Sequence, residues 1–181
     1  MASEAAAIDL RYPIGKLERV SSLTPDERRV AIEQIAQTPG LLSAAVAGLT
    51  AQQLDTPYRD GGWTVRQVVH HIADSHMNAY VRFKLALTEQ EPTIKPYDEK
   101  LWAALPDSTA PIEISLALLA ALHQRWVPLL RSMKPEDFAR TLRHPEMNAT
   151  ITLDGNVRIY SWHGRHHVAH ITALRERKGW N

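Results

Sequence analysis

Seven of the nine histidines fall in two short windows, His70-His71-Ile72-Ala73-Asp74-Ser75-His76 and His163-Gly164-Arg165-His166-His167-Val168-Ala169-His170. Histidine in this pattern is a metal-ligand signal. Neutral imidazole is a common ligand of first-row divalent cations, and two residues four apart project from one helical face. One HxxxH pair and a distant histidine can therefore supply three ligands. Three protein ligands leave a coordination position open, the arrangement of catalytic rather than structural zinc. Chance clustering of a rare residue is the competing reading.

The chemistry has to work within a narrow composition. The 181 residues are 44% apolar, with 21 Lys+Arg against 20 Asp+Glu. That fits one globular domain, 1–181, with a full core. Balanced charge without a Lys/Arg run indicates neither a phosphate-tracking surface nor a polybasic patch, so neither nucleic acid nor a membrane is an expected partner. With no cysteine, disulfides, thiolate ligands and a cysteine nucleophile are excluded, which leaves His, Asp and Glu for metal chemistry. Met1-Ala2-Ser3-Glu4 has neither a basic region nor an apolar segment, and no run of about eighteen apolar residues occurs. A cytoplasmic protein is expected.

The elements that must position the histidines follow from caps and periodicity. Residues 10–23 carry Pro13 and Gly15 with no clear period and read as part of an N-terminal arm (1–23) laid over the domain. Thr24, Pro25 and Glu27 form a capping box with proline at the first helical position, so a helix is predicted from 25 towards 49, interrupted or kinked at Pro39-Gly40. Thr64 and Gln67 repeat the capping spacing and open a second helix, 65 to about 89. Its apolar face is Val65, Val68, Val69, Ile72, Met77, Ala79, Tyr80, Phe83 and Leu87. His76 lies near the centre of that face; His70 and His71 lie on its two flanks, and periodicity does not choose between them. Residues 112–133 read as a third long helix bent at Pro128, with Leu116, Leu119, Leu122, Trp126, Leu129 and Leu130 inward. The stretch Ala149-Thr150-Ile151-Thr152-Leu153-Asp154-Gly155-Asn156 has a β-propensity run ending in Asp154-Gly155, a turn signal, so one small hairpin or extended segment is expected. The last helix, about 157–178, aligns Tyr160, Gly164, His167, Ile171 and Leu174, with His163 at the edge and His166/His170 on the outer flank. His163 and His167 are therefore the preferred pair. Four long helices without βαβ alternation imply an all-α four-helix bundle, and bundle cores commonly hold metal sites built from facing helices.

Other chemistry-bearing residues have plainer readings. His76 is a hydrogen-bonded core or pocket histidine in the first instance, and His123 and His144 are surface or packing residues. His70 and His166 are read as supporting or solvent-facing. Asp74, one turn beyond His70 and His71, could orient an imidazole or take a proton from water, or be a solvated surface carboxylate. Trp63, Trp102, Trp126 and Trp162 read as core and interface mass, and Arg66, Arg82 and Lys84 as a solvated helix face rather than an anion site.

The run from Leu54-Asp55-Thr56-Pro57-Tyr58-Arg59-Asp60-Gly61-Gly62-Trp63 through Val69-His70-His71, with Ala73-Asp74-Ser75-His76-Met77-Asn78, Arg82-Phe83-Lys84, Pro96-Tyr97-Asp98-Glu99-Lys100 and residues 162–171, resembles the DinB-like metal-dependent hydrolases. The resemblance is strongest to their YfiT-like branch, which includes bacillithiol transferases, and covers nearly the whole chain. It implies a four-helix bundle, one divalent cation per subunit, zinc first and nickel second, and a homodimer. It also implies ligands at His71, His163 and His167; the choice of His71 over His70 rests on the resemblance alone. Such a site is expected to activate water as a hydrolase on a small-molecule substrate. The alternatives are transfer of a low-molecular-weight thiol, bound as thiolate, and a non-catalytic metal-binding or stress-sensing bundle.

Overall fold

Each long helix but one begins where the sequence supplies a side-chain cap. The computed structural model describes residues 9–180; the first eight residues of the expected arm and Asn181 lie outside the described residues. Helix α1 (Pro25–Val46) opens on Thr24, whose Oγ1 accepts from Glu27 N while Glu27 Oε2 accepts from Thr24 N at 2.8 Å. A short α2 (Ala51–Leu54) and the turn before Trp63 lead into α3 (Val65–Thr88), capped by Thr64 and Gln67 in the same reciprocal way. Next come α4 (Glu99–Ala103), a 3₁₀ turn (Pro106–Thr109), α5 (Ile112–Ser132), α6 (Pro135–Phe138), the hairpin β1 (Thr141–His144) and β2 (Ala149–Thr152), and α7 (Leu153–Lys178). Helix α5 follows Pro111 without a side-chain cap.

The four long helices pack as α1 against α7, α7 against α3, α3 against α5 and α5 against α1, which is the expected four-helix bundle with one small hairpin. One core cluster gathers Ile35, Phe83, Trp126, Leu153 and Tyr160, and another gathers Leu42, Val65, Ile72, Leu119 and Ile171. Among the described residues no helix is long and apolar enough to cross a membrane.

Several local expectations are corrected. Helix α1 runs unbroken through Pro39, because the lost N–H costs one hydrogen bond while both halves of the helix are held by the core. Met77 is not on the inner face but 37% exposed. Asp154-Gly155 is not a turn: the hairpin turns at residues 145–148, with Asn148 at φ 43°, and the last helix starts four residues earlier than the periodicity suggested. Thr152 Oγ1 caps it by accepting from Gly155 N at 3.0 Å. Asp154 is buried and bonded by Arg28 Nε at 2.7 Å and Leu23 N at 3.0 Å, so a residue read as turn chemistry is a tertiary clasp.

Two glycines allow backbones to approach. A Cβ on Gly164 would lie 2.5 Å from Thr38 Oγ1 where α7 crosses α1, and one on Gly155 would lie 2.7 Å from the Val20 carbonyl oxygen of the arm. The described part of the arm follows α7: Ser21 O accepts from Thr152 Oγ1, Gly15 O from Trp162 Nε1 at 3.2 Å, and Arg11 O from His170 Nε2 at 3.3 Å.

Removing one partner of a buried pair leaves the other charge uncompensated. Arg28→Ala is expected to lower unfolding free energy by about 3–5 kcal/mol in urea denaturation. A loss below about 1 kcal/mol, the range of exposed pairs, would show that the clasp is solvated.

Candidate metal centre

Where α3 faces α7, three imidazoles converge. His71 comes from the first half of α3; His163 and His167 come from one face of α7, a turn apart. His71 Nε2 lies 3.2 Å from His163 Nε2, and one nitrogen from each of the three rings lies within 4.8 Å of the other two. The spacing suits one cation: two nitrogens bonded to a tetrahedral zinc at about 2.0–2.1 Å stand about 3.3 Å apart. Ser75 Oγ is 3.5 Å from His163 Nε2, and the Trp63 ring covers His71 at 4.6 Å between centroids.

The electrostatics favour the ligand form of each ring. Burial holds His71 down to about 4. Burial, then the neighbouring rings, hold His163 and His167 well below the ordinary histidine value. Metal binding requires neutral imidazole, so desolvation has already removed the competing proton. His167 Nδ1 is buried without a hydrogen-bond partner. A donor set of neutral, partly unsatisfied imidazoles could hold a borderline divalent cation.

The other histidines are more engaged than the sequence suggested. His70 turns to the opposite side: Nε2–H donates to Ala110 O at 3.1 Å, and Nδ1 accepts from Ser115 Oγ at 2.7 Å. His76 is fully buried against His123 and His163. His123 is buried rather than on the surface, occupying the inner stripe of α5 between Leu119 and Trp126. His166 and His170 are not on an open flank. The arm and the turn after α2 cover them, with Tyr58 stacked on His170 at 4.0 Å and Trp162 on His166 at 4.1 Å. With His167 they form a second group that could hold an ion: the His170 Nε2–H donates to Arg11 O, and the Nδ1 of His166, His167 and His170 are each buried without a hydrogen-bond partner.

Asp74 is half-buried, and burial followed by the Asp107 charge raises it to about 6. Among the described residues its carboxylate bonds none of the three rings. Arg66 is spent on Asp55 at 2.7 Å. Two cavities reach the centre, one of about 500 Å³ that includes Arg82, Tyr97 and Tyr160 and one of about 610 Å³ that includes Trp63, Arg59 and His167. Both include His163, Glu99 and Lys100, and neither includes Asp74. Burial raises the Glu99 pKa against the opposing pull of Lys100. Glu99 carried no assigned role in the sequence reading; its only signal was membership of the Pro96–Lys100 run.

Three neutral histidines at the meeting of two helices of a bundle are a group that could hold a metal ion, and comparison gives the chain's kinship. Residues 34–171 match the DinB superfamily, to which this chain belongs. It is 55% identical over 172 residues to a protein of Bacillus mycoides (strain KBAB4), covering 95% of this chain and 99% of that one, and equally so to one of Bacillus cereus (strain 03BB102). Both are named as candidate metal-dependent hydrolases. The solved structure of YfiT from Bacillus subtilis, described as a probable metal-dependent hydrolase with an unusual four-helix bundle topology, superposes with a TM-score of 0.93. It has 51% identity over 95% of this chain and 99% of that one.

The depressed histidines make a pH prediction. His71, His123 and His170 are held to about 4 and His166 to about 3, burial being the first cause in each. The unfolded chain, with histidines near 6.5, therefore takes up protons first as pH falls. These groups cost no stability above about pH 6.5 and progressively more between about 6.5 and 4. Denaturation of the metal-free chain across that range is expected to show uptake of at least about four protons per molecule on unfolding near pH 5. Flat stability from pH 7 to 5 would mean that the rings are hydrated.

Proposed function

We propose that this chain is a metal-dependent hydrolase of a small molecule, with His71, His163 and His167 holding one divalent cation, zinc first and nickel second. The observation that carries the reading is the convergence of three neutral imidazoles from α3 and α7, two of their nitrogens 3.2 Å apart, at the floor of two cavities that share His163. The kinship with proteins named for metal-dependent hydrolysis supports it. A structural zinc takes four protein ligands. Two of the possible fourth ligands argue against that use: both His76 nitrogens are engaged by His163 and His123, and Asp74 bonds none of the rings.

A divalent cation at this place supplies Lewis acidity, which makes water a competent nucleophile near neutral pH and polarises a substrate oxygen. The chain's own residues do the rest. Trp63 shields the His71 ring from solvent, and the Glu99 carboxylate, its pKa raised by burial, lines both cavities and is the proton acceptor of choice. Asp74, which bonds none of the three rings and lines neither cavity, would act only through intervening water. The resemblance also carries a homodimer, for which exposed Leu101, Leu105, Ile114 and Leu118 offer apolar surface.

The test couples metal content to turnover. Elemental analysis is expected to find about one zinc or nickel per chain and a large loss in His71→Ala. The loaded protein should cleave ester or amide probes without added thiol. Product formed only from an added low-molecular-weight thiol and an electrophile would replace hydrolysis with thiol transfer; metal with neither activity would leave a binding bundle. Glu99→Gln is expected to lower kcat by about 10²-fold or more, the contribution of a general base, and Asp74→Asn by less than tenfold. The reverse order would assign the base to Asp74.

A further inference from the structure

His163 is tied to the protein core through a line of imidazoles. His163 Nδ1 is 3.3 Å from His76 Nε2, His76 Nδ1 is 2.8 Å from His123 Nε2, and His123 Nδ1 is 3.0 Å from the carbonyl oxygen of Ile35. His76 and His123 are 0% and 4% exposed, so protein atoms must satisfy them. A neutral imidazole has one N–H and one lone pair, whereas a carbonyl oxygen only accepts. The Ile35 end therefore sets the direction of the whole line. His123 Nδ1–H donates to Ile35 and its Nε2 accepts from His76 Nδ1–H. His76 Nε2 in turn accepts from His163 Nδ1–H. What remains on His163 is the Nε2 lone pair, facing His71 Nε2.

The anchoring carbonyl is itself freed by the sequence. In an α-helix Ile35 O would accept from the residue four on, which is Pro39, a residue with no N–H. The proline that the sequence marks as a helix breaker leaves the helix intact and hands its unpaired carbonyl to His123.

Resting on the reading of His163 as a ligand, we propose that His76 and His123 are positioning residues. Anchored on the Ile35 carbonyl, they lock His163 in its Nδ1–H tautomer and aim the Nε2 lone pair at the cation. A metal-bound histidine usually gives its other N–H to a carboxylate, a carbonyl or water; here two further rings carry that bond into the core without burying a charge. The line ends on a backbone carbonyl, so it has no outlet for a proton and orients rather than shuttles.

Long-range ¹H–¹⁵N correlation spectra of the metal-free chain near neutral pH distinguish the two tautomers of each ring. His76, His123 and His163 are all expected to carry the proton on Nδ1, and an Nε2–H tautomer at any of the three overturns the proposal. Zinc affinity, measured by chelator competition, then tests the consequence. His123→Phe keeps a ring in the core but gives His76 no acceptor, and is expected to weaken zinc binding by about 10–100-fold, as loss of an outer partner does elsewhere. His123→Gln, whose amide can both accept from His76 and donate to Ile35, should recover most of that loss. Unchanged affinity in His123→Phe overturns the proposal, and so does equal weakening in both variants, which would be packing damage. If His123→Phe fails to fold, the tautomers of the unaltered chain still decide. No zinc binding by the unaltered chain would remove the metal reading and the positioning role with it, while the Nδ1–H pattern would stand on its own.

Discussion

A buried neutral imidazole must find one acceptor and one donor, or leave a lone pair bare, and this fold buries seven such rings. Most of the architecture follows from how those demands are met. His70 is satisfied by Ala110 and Ser115 across the α3–α5 contact. His76 and His123 satisfy each other and hang from the Ile35 carbonyl. His170 gives its proton to Arg11 of the arm. At the α3–α7 contact nitrogens of His71, His163 and His167 face one another, and a cation is the partner that would complete them. An apolar core could have been built more cheaply from leucine; the histidines are retained at the cost of acid stability.

Helix α7 carries four of the nine histidines and is enclosed on nearly all sides. Gly164 lets it press against Thr38 of α1, Gly155 admits the backbone of the arm, and the Asp154–Arg28 pair fixes its first turn beneath Leu23. These contacts are remote from the ligand nitrogens, yet they set the height and rotation of α7, and with them the positions of His163 and His167 relative to His71. The opening left in this enclosure lies on the side of Glu99 and Lys100, where both cavities meet the centre.

Much of this was legible in the sequence because the signals were local. Capping boxes at Thr24 and Thr64 gave the starts of α1 and α3 to the residue, and three- and four-residue spacing placed His163 and His167 on the inner face of α7. The misreadings came where tertiary contacts decide. Asp154-Gly155 has the composition of a turn, but an arm 131 residues earlier in the chain and Arg28 make it a helix start. His166 and His170 lie on a flank that periodicity marks as outward, and only the arm laid over it buries them. His70 and His71 are equivalent to a helical wheel; the hydroxyl of Ser115 and the carbonyl of Ala110 separate them. The same periodicity places His123 between Leu119 and Trp126 on the inner stripe of α5, and its burial decides between the surface and packing readings in favour of packing.

The central claim is that His71, His163 and His167 share one cation. Anomalous scattering at the zinc edge from crystals of the zinc-loaded chain tests it most directly. The account predicts a single peak at about 2.0–2.1 Å from one nitrogen of each of these three rings, with its remaining coordination open to a cavity. A peak among His166, His167 and His170 instead, or one completed by a fourth protein ligand, would contradict it.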